Sequence, residues 1–117
     1  MRRGMFRKVE KPVEVWMVLC TFPDLEQARQ IGTVLVEKQL AACVNVLPGV
    51  VSIYRWQGKI EREEEVLAIF KTTAEGVERL EKSLVEAHPY EVPEVVALRP
   101  ERVAEAYGKW VGECVGS

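Results

Sequence analysis

Two long extended runs joined by a two-residue turn constrain this chain more than anything else in its sequence. Ala42 to Trp56 is rich in β-branched and aromatic residues and is interrupted only by Pro48-Gly49, and Lys59 to Lys71 is a second such run after Gln57-Gly58. The first run alone spans roughly 50 Å at about 3.3 Å per residue, against a radius of gyration of about 13 Å for a domain of this size. Such a hairpin overhangs its own sheet. An overhang carrying Val50, Ile53, Tyr54 and Trp56 presents unpaired edges and apolar groups, for which another copy of the chain is the expected cover. The competing expectation is a bend at Pro48-Gly49 that folds the excess back.

The remaining elements fall around that hairpin. Val13 to Cys20 is apolar on both faces, as a strand inside a sheet should be. Asp24 is placed to cap a helix with Gln27 three residues on, and Ala28, Ile31, Gly32 and Leu35 supply its apolar stripe to an end near Gln39. Thr72 and Glu75 read as the capping box of a second helix with Val77, Leu80, Leu84 and Ala87 on one face, stopped by Pro89. Val92 to Leu98 reads as a short strand whose Pro93 suits an edge, and a closing helix carries Val103, Tyr107, Trp110, Val111 and Cys114 on one face. The order β-α-β-β-α-β with an added helix predicts an α+β sandwich, the ferredoxin-like split βαβ arrangement.

Composition narrows the class. With 117 residues, 48% of them hydrophobic, the chain can build one core, expected over 13–117, behind a disordered extension at 1–12 that ends at Pro12. A net charge of -2 with mixed signs gives no positive field for nucleic acid or for an anionic membrane surface. No apolar run approaches the roughly 18 residues of a membrane helix. Cys20, Cys43 and Cys114 form no metal-ribbon or redox spacing and read as free thiols, so the expected location is cytoplasmic.

Four segments carry a specific resemblance. LCTFPD (19–24), LAACVNVLPGVVSIYRWQGKI (40–60), EVLAIFKTT (65–73) and HPYEVPE (88–94) are similar to the CutA family, the divalent-cation-tolerance proteins, from about Val15 to Trp110. The resemblance implies a ferredoxin-like protomer assembled as a homotrimer, with hairpins pairing between subunits much as in PII-type signalling proteins. It also implies a link to copper tolerance and to binding of copper and other divalent cations, and for animal members to acetylcholinesterase localisation. The metal residues it implies are Cys20 and His88. Some members carry two adjacent histidines at the second place, and here the first position is Ala87.

Strand directions in the predicted sandwich bring Cys20, at the end of the first strand, and His88, at the end of the second helix, to one end of the fold, with Cys43 at the other. Thiolate and imidazole suit Cu(I) or Zn better than oxygen-loving Mg or Ca, but two donors do not close a site that normally has four. The plainer reading makes Cys20 a small core residue and His88 a cation placed against a helix C-terminus. A nucleophile and base lacking an orienting third group do not make an enzyme.

Tyr54, Trp56, Glu61, Glu65 and Lys71 form a second constellation along the hairpin. Between subunits they would line a cleft where Lys71 holds a small anionic ligand, as in a PII-like sensor. The plainer alternative makes the aromatics interface anchors and pairs Glu65 with Lys71 across strands or between subunits. Glu61, Glu63, Glu64 and Glu65, with Arg62 among them, allow a surface cation site, and the plainer reading is a solvated strand face. No glycine pattern matches a phosphate-binding loop. The expectation is thus a non-enzymatic, copper-associated binding trimer, with the PII-like sensor as its rival.

Overall fold

Within residues 12–116, which the computed structural model describes, the chain runs β1 (Val15–Phe22), α1 (Leu25–Glu37), β2 (Cys43–Trp56), β3 (Lys59–Thr73), α2 (Val77–Ala87), β4 (Val95–Leu98) and α3 (Glu105–Cys114). The expected extension at 1–12 lies outside the described residues except for Pro12. The four strands form one antiparallel sheet in the order β2-β3-β1-β4, the split βαβ topology expected from element order.

Alternation on the strands sorts the side chains. Val18, Cys20 and Phe22 of β1 and Val66, Ala68 and Phe70 of β3 face α1 and α2, where they pack with Ala28, Leu35, Val77, Leu80 and Leu84 into one buried cluster. The opposite parity, including Leu19, Leu67, Ile69, Val96 and Leu98, lies on a second face that neither helix covers; Val96 and Leu98 are exposed. At the far end of that face, α3 sets Val111 against Val15 and Ala42.

Local chemistry explains the element ends. Asp24 Oδ1 accepts from the Gln27 backbone N–H at 2.8 Å, so Asp24 caps α1 as expected, whereas the Gln27 side chain donates to Asp24 Oδ2 at 2.9 Å and not to a backbone group as a capping box would have it. The helix stops where Gln39 takes φ 62°, a left-handed value that turns the chain into β2. Gln57 and Gly58 both have positive φ, 50° and 81°, the two-residue turn whose twist matches a hairpin.

The hairpin does overhang. Beyond Phe22, which pairs with Val66, the segments 50–56 and 59–65 continue together for roughly 20 Å, and the protomer measures 63 × 26 × 22 Å with a radius of gyration of 16.6 Å. The bend expected as the alternative does not occur. Pro48-Gly49 instead forms a bulge: Leu47 pairs with Leu67 and Val50 with Glu65, so β2 holds one residue more than β3 there, and Gly49 takes φ 85°.

Three expectations need correction. Thr72 does not cap α2, because β3 runs on to Thr73; its hydroxyl donates to the Leu40 carbonyl at 2.9 Å, and the N-cap is Gly76 with no side-chain bond. The last strand begins at Val95, after Pro93, because a proline nitrogen cannot donate to the ladder. Val103 precedes α3, and that helix buries Val111 while leaving Tyr107 and Trp110 partly exposed, in contact with each other at 5.7 Å between ring centroids.

Candidate functional site

Cys20 and His88 are brought to the same end of the fold and meet at one backbone group. His88 is the C-cap residue of α2, and its buried ring stacks on Phe22 at 4.8 Å. Its Nε2 lies 2.7 Å from the Thr21 carbonyl oxygen, and its Nδ1 accepts the Tyr90 backbone N–H at 3.1 Å. An Nδ1 that accepts leaves the proton on Nε2, which therefore donates to Thr21. The Cys20 thiol, fully buried, reaches the same carbonyl at 3.9 Å. Burial, with the Glu94 and Glu65 carboxylates adding to it, pushes that thiol up to about 12.

This pair is a soft donor set held in its protonated form. A metal ion entering here must take the thiol proton and displace a hydrogen bond from the imidazole. Among the described residues no three His, Cys, Asp or Glu side chains converge to hold an ion, so a closed site needs donors from elsewhere. Cys43 lies toward the opposite end, at the start of β2, with its sulfur 3.2 Å from the Tyr107 hydroxyl.

A cleft of about 630 Å³ opens beside Thr21, between the overhanging part of the hairpin and the loop from α2 to β4. The hairpin contributes Ser52, Ile53, Tyr54, Trp56, Glu61, Glu63 and Glu65, and the loop Tyr90, Glu91, Val92 and Glu94. Tyr90 bridges the two walls: its hydroxyl donates to Glu65 Oε2 at 2.7 Å, and burial together with that bond raises its pKa. The Tyr54 hydroxyl donates to Glu63 Oε1, which pushes the phenol up to about 12. Glu65 is only 7% exposed, an unusual place for a carboxyl group.

Four of the five residues of the second constellation share this cleft, and Lys71 does not. Lys71 pairs in register with Met17 and Cys43 and donates to Asn45 Oδ1, six positions from Glu65 along β3, or roughly 20 Å. Within the protomer they form no ion pair; among the described residues the ion pair is Arg99 with Glu14 at 3.1 Å. Tyr90, Thr21 and Glu63 join the cleft without having been expected there. The alternation of Glu61, Glu63 and Glu65 placed all three on one strand face, but nothing local signals that the Tyr90 loop crosses to them.

Comparison with known proteins adds an independent line. The family model described as CutA1 divalent ion tolerance protein matches residues 16–114. The divalent-cation tolerance protein CutA of Thermus thermophilus is 45% identical over 100 residues, covering 86% of this chain and 97% of that protein. Human protein CutA is 42% identical over 106 residues, covering 91% of this chain but 59% of its own length. The crystal structure of CutA from Xylella fastidiosa superposes with a TM-score of 0.85 at 41% identity, covering 88% of this chain and 99% of that one.

Proposed function

Because the chain belongs to the CutA1 divalent ion tolerance family, we propose that it binds divalent metal, copper above all, as a cytoplasmic homotrimer without catalysing a reaction, and that Cys20 and His88 supply the donors. The observation that carries this reading is the convergence of the Cys20 thiol and the His88 imidazole on the Thr21 carbonyl. Thiolate and imidazole suit a soft ion, and zinc is the secondary candidate. The cost of deprotonating Cys20 makes binding weak at neutral pH and stronger as pH rises.

Assembly is supported by two surfaces. The second sheet face exposes Val96 and Leu98, and the overhang exposes Val51, Ile53, Tyr54, Trp56 and Ile60, and large apolar side chains grouped on a surface mark an interaction site. Three described cysteines that are free thiols support the cytoplasmic placement. The sensor reading, in which the cleft takes an anion, is disfavoured by five glutamates in its wall and the distance to Lys71.

The test is calorimetric titration of the reduced protein with Cu(I), Cu(II) and Zn beside a Cys20→Ser/His88→Ala double variant of the same oligomeric state. Saturable binding lost in the variant supports the assignment. Equal binding in both, or none in either, removes it.

A further inference from the structure

We infer that the overhanging hairpins pack head-to-tail in the homotrimer proposed above, on which this inference rests: the face of one hairpin that bears Arg55 and Arg62 seats on the acidic, aromatic face of the next. Two copies of a chain can meet through one self-complementary patch, but three copies around an axis cannot. A cyclic trimer needs two different surfaces on every chain, each fitted to the other. The overhang carries such a pair.

Register sorts its side chains, because residues directly opposite in an antiparallel ladder share a face. Above the bulge Tyr54 pairs with Glu61 and Ser52 with Glu63 on one side, while Ile53 pairs with Arg62 and Arg55 with Ile60 on the other. The first side is a wall of the cleft, and Trp56 adds a second ring to it. The second side is apolar and basic: Val51 and Ile53 are each 63% exposed, Ile60 is 50% exposed, and both arginines are exposed. Lys59 at the tip of the first side and Glu64 at the base of the second are the minority charges.

Neither side neutralises itself or the other within one chain. Among the described residues Arg55, Arg62, Glu61 and Glu63 form no ion pair, because the ladder holds the two signs on opposite sides of one ribbon. A guanidinium suits both chemistries of the opposing side, since it donates in a planar fork to a carboxylate and stacks on an aromatic ring. Glu61 and Glu63 of the next copy supply the carboxylates, and Tyr54 and Trp56 the rings. Val51, Ile53 and Ile60 then bury their apolar surface around these contacts. The ribbon is two strands wide and roughly 20 Å long, so each copy can cross the next at the angle that closes a ring.

Sedimentation velocity of the full chain over a dilution series, with charge reversals, tests the pairing. Arg55→Glu/Arg62→Glu alters one side and Glu61→Arg/Glu63→Arg the other. Each should raise the dissociation constant of the trimer by at least about tenfold, because like charges then oppose at every contact. All four substitutions in one chain restore opposite charges everywhere and should bring assembly back to within about threefold of the parent. Lys38→Glu/Lys82→Glu, the same change of net charge at exposed positions of the helix layer, should leave assembly unchanged. A parent that is not trimeric overturns the trimer reading and this proposal with it. With a trimeric parent, reversed variants that assemble equally well, a four-substitution chain no better than the weaker of its halves, or an equal loss in the Lys38 and Lys82 variant overturns the pairing of faces alone.

Discussion

The His88 imidazole and the Thr21 carbonyl are joined by a 2.7 Å hydrogen bond that ties the end of α2 to the end of β1. The bond is buried, and the opposite ring nitrogen accepts the Tyr90 N–H, so one side chain satisfies two backbone groups while stacking on Phe22. His88 is therefore structural before it is anything else.

Replacing His88 with alanine strands the Thr21 carbonyl and the Tyr90 N–H and opens a void against Phe22. The expected cost is about 2–4 kcal/mol, from two unmet buried polar groups and lost packing. Denaturant unfolding of the His88→Ala variant checks this. A loss below about 0.5 kcal/mol, the size of an ordinary surface change, contradicts it.

The Cys20 thiol imposes a pH signature on stability. Its folded pKa of about 12 lies above the 9.0 of an unperturbed thiol, so folding favours the protonated form. That contribution is complete below pH 9 and is lost as pH rises toward 12. Between pH 9 and 11 the parent should lose stability more steeply than Cys20→Ala, by up to about 1.4 kcal/mol per pH unit. Parallel pH profiles for the two proteins rule this out.

Trp56 and Trp110 are exposed to similar degrees, 39% and 42%, but stand in different settings. Trp56 sits on the overhang, whereas Trp110 rests against Tyr107 on the protomer's own α3. Trp56→Ala should therefore weaken assembly more than Trp110→Ala does. Sedimentation velocity over a dilution series measures it, and an unchanged profile for Trp56→Ala refutes it.

Gln57 holds φ 50°, in the left-handed region that asparagine tolerates better than glutamine. Gln57→Asn creates an Asn-Gly turn and should stabilise the hairpin tip by about 0.5 kcal/mol. Hydrogen exchange of amides near the tip should slow by about twofold at that magnitude. Faster exchange contradicts the assignment of the turn.

How much of this was legible in the sequence depended on the range of the interaction. The Asp24 cap and the Gln57-Gly58 turn are written in neighbouring residues, and each appears where its chemistry put it. Thr72 misled because its spacing to Glu75 satisfies a local rule, whereas the ladder from Val15 to Thr73 holds it in a strand. The placement of Lys71 away from Glu65 was available from counting, since six residues of strand cannot be closed by a side chain. The Tyr90 to Glu65 bond joins residues 25 apart across a loop, and no local pattern encodes it. Cys20 and His88 came together from topology alone, but the hydrogen bonds that occupy the imidazole required atomic positions.

The surplus residue at Pro48-Gly49 decides which half of the hairpin's side chains faces the cleft. Below it the odd-numbered residues of β2 share a face with the odd-numbered residues of β3; above it the even-numbered ones do, so Ser52, Tyr54 and Trp56 stand opposite Glu63, Glu61 and Lys59. The same strand paired straight through from Leu47 and Leu67, with no bulge to absorb the surplus, would set Val51, Ile53 and Arg55 opposite Glu63, Glu61 and Lys59 instead. The two aromatic rings would leave and a guanidinium would enter, neutralising part of the acidic wall. The bulge, and not composition alone, thus sets the polarity of the cleft as firmly as the identity of any side chain in it.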